Sequence, residues 1–426
     1  MVDNKVPIIY LSGEELNSFS IQEDTTVFGH SYEWEGERVV HLCIHPVLHS
    51  YGAHGKSIFS KIDIAHYDNS VLADVLYFVQ ISVNGSIQVF EHVGDEWQER
   101  DVNFIPSHQE LYSRSKGILE INILENKRVM IVGLGSFGSQ IAIELAKAGV
   151  GSFSLFDFDR VELHNLARHT CTINDLGRLK TDAIYDAIKG KNPYAIVDKH
   201  PIDINDDLQL LNEEIAKSDL VICATDNNKS RFNISEVLVK QKHTGIFGRA
   251  VTRAEGGDVF RYRPGGPCYC CLIGAGFYDP NIDEITDVAS ARRDGRIPAY
   301  ASEEDANAMV QVGLSADIEP ICNMMVKLSL MELSREANSG IKCLESELVY
   351  DYYMWANRRE RRHASWAPLP NAANRPTILR WYGARIPKDD QCPLCSKKNI
   401  ALEAGEEFEK GLGDNLDGVD INELLQ

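Results

Sequence analysis

The chain has 426 residues, a formal net charge of −20, 44% hydrophobic residues and 25% charged residues. That is enough for two or three domains with a sizeable core, and the acid excess repels nucleic acid and anionic membrane. The start, MVDNKVPIIYLSGEEL, has no basic region followed by an apolar run, and no apolar stretch approaches the roughly 18 residues of a membrane span; a cytoplasmic protein is expected.

Residues 1–105 read as a smaller α/β accessory domain rich in β structure. Leu76 to Val83 and Ser86 to His92 flank Asn84-Gly85, a dipeptide that accepts positive φ and suits a hairpin turn. Leu42-Cys43-Ile44-His45-Pro46, followed by Ser60 and Asp63, resembles in degenerate form the HxHP…SxxD metal motif of JAB-type deubiquitinating proteases. Cys43 stands at the first His position and no matching upstream Glu is present. No active protease is expected; a domain that recognises a protein partner is the simpler reading.

A different style of sequence follows, over residues 106–400. Lys127 to Leu134 is a buried strand by its apolar run, and Gly135 to Gly149 carries helical spacing through Ile141, Leu145 and Ala148. Ser152 to Phe158 reads as a strand, Lys180 to Lys189 as a helix, and Asp219 to Ala224 as another buried strand. Ser230 to Lys242 reads as a helix and His243 to Ala250 leads into a strand. Alternating strands and helices imply a doubly wound, mainly parallel sheet covered on both faces. Residues 401–426 are acidic with few large apolar side chains and read as a mobile tail.

Gly133-Leu134-Gly135-Ser136-Phe137-Gly138 lies between the first strand and helix. Such glycines permit a tight turn and close approach of backbone to a phosphate, which the helix N-terminus favours. Asp157, ending the next strand, can reach ribose hydroxyls. The motif by itself does not separate NAD or FAD from ATP. The run that follows, Asp157-Phe158-Asp159-Arg160-Val161-Glu162-Leu163-His164-Asn165-Leu166-Ala167-Arg168-His169, does. Attack at a phosphorus of ATP builds charge on phosphate oxygens that fixed cations must meet. Arg168 offers a planar fork and Lys180 a point charge. Asp226, just past a strand's C-terminal end, can hold Mg²⁺. Of the 10 cysteines, Cys268 and Cys271 form one C-x-x-C pair and Cys392 and Cys395 another. Two such pairs suit a tetrahedral structural zinc.

In order along the chain stand GLGSFGS, LFDFDRVELHNLARH, GRLKTDA, ICATDN and GPCYCCL. The set resembles the ThiF/MoeB and ubiquitin-activating-enzyme family of adenylyltransferases over roughly residues 109–400. The resemblance implies an adenylation domain with a structural zinc, using ATP and Mg²⁺. In it Gly133, Gly135 and Gly138 form the nucleotide loop, and Asp157 and Asp159 face ATP. Asn165, Arg168 and Lys180 hold the phosphates, and Asp226 positions Mg²⁺. Leu111-Tyr112-Ser113-Arg114 is similar to the family's YSRQ segment, with Ser115 in place of Gln; Arg114 would complete the site, in family homodimers from the partner subunit. His169 stands where the family usually has Gln.

The implied reaction is attack of a small protein's C-terminal carboxylate on MgATP. The first expectation for that protein is a ubiquitin-like modifier ending in Gly, in a bacterial conjugation system with a conjugating enzyme downstream. The alternatives are a sulfur-carrier protein of thiamin or molybdopterin synthesis, and a non-catalytic binding scaffold. Family thioester cysteines commonly lie in the stretch corresponding to Leu272–Glu319, a crossover segment that here contains none. Cys322, read as lying at the start of an apolar helix, is the reserve candidate, followed by Cys171 and Cys270.

Overall fold

The computed structural model describes residues 6–12, 25–34, 37–42, 53–105, 108–276, 302, 313–360, 363–366 and 377–396. The chain forms two compact units, Met1–Arg114 and Ser115–Gln426. Cys43, His45, the tail 401–426 and most of Leu272–Glu319 lie outside the described residues.

The first unit carries a mixed eight-stranded sheet. Its strands are β1 (Ile8–Ser12), β2 (Thr25–Trp34), β3 (Glu37–Leu42), β4 (Ala53–Ser60), β5 (Val75–Ile81), β6 (Ile87–Val93), β7 (Glu96–Arg100) and β8 (Val102–Ile105). Their order is β7-β6-β5-β4-β2-β3-β1-β8, and among the described residues the helices between them have only three or four residues. The expected β5–β6 hairpin is present: Gly85 has φ of 83° and its N–H reaches the Ser82 carbonyl at 2.9 Å. Ile9, Leu11, Val40, Phe59, Val79 and Val89 form the core of one face. The Ser60 hydroxyl takes a hydrogen bond from Tyr67 and another from the Ile62 N–H, and Asp63 caps a 3-10 turn. Both side chains serve the turn after β4.

The second unit is a doubly wound α/β layer. Its strands are β9 (Arg128–Val132), β10 (Ser152–Phe156), β11 (Ile196–His200), β12 (Leu220–Cys223), β13 (Gly245–Ala250), β14 (Gly256–Tyr262), β15 (Tyr352–Ala356) and β16 (Arg380–Ala384). The order is β11-β10-β9-β12-β13-β14-β15-β16. The first five pair in parallel; β14, β15 and β16 extend the sheet antiparallel. Among the described residues its α-helices of six residues or more are α1 (Ser136–Ala148), α2 (Lys180–Lys189), α3 (Leu208–Lys217), α4 (Asn228–Gln241), α5 (Tyr269–Gly274) and α6 (Ser315–Leu333).

β9 shows why the sheet needs two layers of helix. Val129, Met130, Ile131 and Val132 alternate faces and all are buried. Val129 and Ile131 join Ile141, Leu145, Ile184 and Met325, from α1, α2 and α6. Met130 and Val132 join Leu211, Ile215 and Leu238, from α3 and α4. Each such side chain contributes about 1.5–3 kcal/mol on burial. The helix α1 stops at Gly149, whose left-handed φ of 99° lets its N–H reach the Leu145 and Ala146 carbonyls. After β9 the chain builds β10 and β11 on one side, then crosses to build β12 and β13 on the other. The crevice at the C-terminal ends of β9 and β12 is therefore a topological switch point, the ordinary ligand position in open α/β sheets. Among the described residues no helix is long and apolar enough to cross a membrane.

Candidate functional site

A cleft of about 480 Å³ opens at that switch point, within the size range of small-molecule sites. Gly133, Gly135, Asp157, Asp159, Asn165, Arg168, His169, Lys180 and Asp226 all line it.

The three glycines do three different jobs. Gly133 has φ of 85°, and a Cβ there would meet the Ala224 carbonyl oxygen at 2.7 Å, so the loop crosses tightly over the end of β12. A Cβ at Gly138 would fall 1.8 Å from the Gly133 oxygen; its absence lets α1 start against the loop. Gly138 thus acts by packing and does not line the cleft. Gly135 faces open space. It is also the N-cap of α1, and no side chain caps that end. Backbone N–H groups are left for an anion, with the helix dipole behind them.

The backbone of Leu134 is pinned through both of its flanking peptide groups. Its N–H donates to Asp157 Oδ2 at 2.7 Å, and its carbonyl lies 2.6 Å from His169 Nε2. Asp157 Oδ1 accepts from the Asp159 N–H at 2.8 Å. Burial raises the Asp157 carboxyl above its ordinary range, partly offset by Lys180 and the two backbone donors. Each oxygen keeps a lone pair that a ribose hydroxyl could use. The His169 Nδ1 accepts from the Cys171 N–H at 3.0 Å. With one nitrogen accepting, the other carries the proton and donates to Leu134. The ring is therefore neutral, and burial pushes its pKa from the ordinary 6.5 to about 4. Both nitrogens are committed to backbone, which makes His169 a structural brace for the loop.

Asn165 closes a capping box with Glu162, accepting that residue's N–H at 2.9 Å. Arg168 follows one turn later, tied to α1 by Gln140, which donates to its carbonyl at 3.3 Å. Among the described residues the Arg168 guanidinium meets no carboxylate, and desolvation lowers its pKa. Lys180 opens α2 and is buried; its Nζ sits 2.7 Å from Asp159 Oδ2 and 3.9 Å from Asp157 Oδ1. Asp226 is exposed between the end of β12 and Asn227, the N-cap of α4.

Two lining residues went unread in the sequence. Arg231 is 2% exposed and donates to the Thr225 carbonyl at 2.6 Å. Arg249, at the end of β13, makes a buried two-point contact with Asp258 at 2.7 and 2.6 Å. Nothing in a helix's sequence separates a buried arginine from a solvated one. The place of Arg249 at a parallel strand's C-terminal end was a signal that could have found it.

Arg114 belongs to the first unit, exposed on a 3-10 turn. Cys322 is a correction: it lies two turns inside α6, not at its start, and is 4% exposed, with burial pushing its thiol well above the ordinary range. A thiol so placed is a poor nucleophile. Cys171 and Cys270 are half-buried; the exposed Cys343 was not considered. Cys268, Cys271, Cys392 and Cys395 come together, all buried, with their sulfurs within 4.8 Å of one another. Three of the spacings are 3.5, 3.5 and 3.9 Å. Four thiolates bound at about 2.3 Å in a tetrahedron stand at nearly these separations, so the cluster could hold zinc.

Residues 113–338, more than half of the chain, match the family described as the ThiF family. Molybdopterin-synthase adenylyltransferase of Escherichia coli is 38% identical over 151 residues, 35% of this chain and 59% of that protein. Adenylyltransferase and sulfurtransferase UBA4 of Candida albicans is 29% identical over 201 residues, 45% of this chain and 44% of that protein. The chain thus spans well under two thirds of these relatives' length. Among solved structures, E. coli MccB with ATP has 16% identity and a TM-score of 0.44, over 65% of this chain and 68% of that one.

The neutral His169 has a consequence for stability. Its pKa is lower folded than unfolded, so the unfolded chain binds more protons between about pH 6.5 and about 4. Stability is full above that window and falls by about 3 kcal/mol as pH drops through it. Urea unfolding of the wild type against His169→Gln checks this: the wild type should lose stability faster below pH 6.5, whereas parallel profiles would contradict it.

Proposed function

The chain belongs to the ThiF family, and on that premise we propose that the cleft binds MgATP and adenylates the C-terminal carboxylate of a small carrier protein ending in Gly. One observation carries the reading. A half-buried arginine with no carboxylate among the described residues, Arg168, lines the same cleft as the uncapped N-terminus of α1 and the open side of Gly135. Desolvating a cation without a partner costs free energy, and an anionic ligand in the cleft recovers it.

In this reading the carboxylate oxygen bonds to the α-phosphorus while the bond to the β-phosphate oxygen breaks. Pyrophosphate leaves with the electron pair, and the product is an acyl-adenylate. Arg168 and Lys180 meet the charge that builds on the phosphate oxygens. Binding of the phosphates draws Lys180 from Asp159, its resting partner. The Asn165 amide adds a donor, Asp226 holds Mg²⁺, Asp157 receives the ribose, and a homodimer's second subunit supplies Arg114. The acyl group then passes to a sulfur on a partner, since Cys322 is enclosed.

Two carrier classes compete. A sulfur carrier is favoured because the curated relatives include a molybdopterin-synthase adenylyltransferase and an adenylyltransferase and sulfurtransferase. This places the sulfur-carrier alternative ahead of the modifier-conjugation expectation. Conjugation, with its conjugating enzyme, is the second reading; it draws on the first unit, which falls almost wholly outside the family match. The domain scheme proposed is an accessory domain at 1–105, an adenylation domain at 106–400 and a tail beyond.

ATP–pyrophosphate exchange driven by a panel of sulfur carriers and ubiquitin-like proteins tests both the reaction and the choice. Exchange with the sulfur carriers is expected. Arg168→Ala or Lys180→Ala should cut it by about 100-fold or more, the usual loss for a removed transition-state donor, without unfolding the chain. Exchange at the wild-type rate in either variant would refute their roles.

We also assign the four clustered cysteines a structural zinc. It would tie Cys392 and Cys395 to α5, with every position filled by sulfur and none open for chemistry. Metal analysis of purified protein should find about one zinc per chain. Four freely titrating thiols in folded, metal-free protein would contradict the assignment.

A further inference from the structure

The cysteine cluster and the nucleotide cleft share a physical connection. Tyr269 stands between Cys268 and Cys271 at the first position of α5 and is 2% exposed. Its ring stacks on Phe247 of β13, with centroids 5.4 Å apart and planes 21° apart, and meets Phe232 of α4 edge-on at 5.4 Å. Those contacts fix the direction of its hydroxyl, which donates to Asn228 Oδ1 at 3.1 Å. Arg231 Nη1 approaches the same oxygen at 3.4 Å, and its Nη2 donates to the Thr225 carbonyl at 2.6 Å. Thr225, Asp226 and Asn227 form a lip of the cleft beside the glycine loop.

Each member of this series is held at two points. Asn228 is the first residue of α4, and Asn227 caps that helix by accepting the Ser230 N–H at 2.8 Å. The lip is therefore anchored from below by Arg231 and from behind by the helix start. α4 is an unusual helix to find so deeply covered: Ser230, Arg231, Asn233, Ser235 and Glu236 are all buried. Burying so much polar surface is unfavourable unless each group is paired. Ser235 faces the cysteine loop and accepts the Tyr269 N–H at 3.3 Å, a second tie between α4 and α5.

We propose that Tyr269 is a positioning residue for the lip that carries Asp226, acting from the cysteine cluster through Asn228 and Arg231. Thiolate ligation holds the start of α5, the hydroxyl of Tyr269 sets Asn228 Oδ1, and Arg231 sets the Thr225 carbonyl. The Asp226 carboxylate, which would hold Mg²⁺ in that reading, is thereby fixed relative to the glycine loop. The proposal rests on the nucleotide reading above, but it asks only for nucleotide binding and not for transfer to any carrier.

The test is calorimetric titration of the full chain with two probes, ATP plus Mg²⁺ and AMP without metal. Tyr269→Phe keeps the stacked ring and all four cysteines and removes one hydrogen bond. It should weaken MgATP by about five-fold, leave AMP affinity unchanged, and leave zinc content at the wild-type value. Asn228→Ala should give the same selective loss, and the double variant should be no worse than Asn228→Ala alone, since both cut one series. If Asn228→Ala does not fold, Arg231→Lys serves as the second cut. Equal weakening of both probes, additive losses, or unchanged MgATP affinity in Tyr269→Phe would overturn the proposal while leaving the nucleotide reading in place. A wild-type chain that binds neither probe would overturn both.

Discussion

The site depends on the backbone of one residue, held through the peptide groups on either side of it. Leu134 has its N–H held by Asp157 and its carbonyl held by His169, both buried. With those two bonds the loop after β9 cannot fold back to cap α1, so the helix's first N–H groups stay directed into the cleft. Breaking either bond leaves a buried polar group unpaired, at a cost of about 1–3 kcal/mol. Gly133 and Gly138 make the geometry sterically available; the two hydrogen bonds make it the preferred one.

Charge in the cleft is local and runs against the chain as a whole. The net charge is −20, yet Arg168, Lys180, Arg231 and Arg249 all line one crevice. Arg249 is neutralised by Asp258, and Lys180 rests on Asp159. Arg168 alone of the four has neither a carboxylate nor a backbone acceptor among the described residues. In the proposed reading a triphosphate would exchange Asp159 for phosphate at Lys180 and add a new contact at Arg168, without dismantling the buried pair that packs β13 against β14. The acid excess disfavours nonspecific polyanions, while the cations of the crevice stay confined to it.

Much of this was legible in the sequence because the relevant elements have strong period and punctuation. β9, α1 and α2 stand within a few residues of their expected bounds, and Lys180–Lys189 is observed as read. The glycine loop, the acid after β10 and the two cysteine pairs carry their chemistry in spacing, and the fold brings them together. β11 and α3 were not read: the strand is a short edge whose Asp198-Lys199-His200 run breaks the apolar pattern, and the helix buries only Leu211, Glu214 and Ile215. Nor were the antiparallel β14 to β16: the pairing of β14 with β15 joins segments nearly a hundred residues apart, and β16 pairs only with β15. Helix α4 was read as ordinary, since sequence does not reveal that its polar residues are buried. Cys322 was misplaced because the apolar run was taken as the helix start, whereas polar residues from Ser315 form its first turn.

The central claim is attack at the α-phosphorus of ATP, and isotope placement tests it most directly. The chain is incubated with Mg²⁺, a sulfur carrier ending in Gly, and ATP labelled with radioactive phosphorus in either the α or the γ position. The carrier is then isolated under conditions that preserve an acyl-adenylate. The account predicts label on the carrier from α-labelled ATP only, with the γ label recovered in pyrophosphate. Label on the carrier from γ-labelled ATP, or recovery of the γ label as inorganic phosphate before any workup, would contradict it.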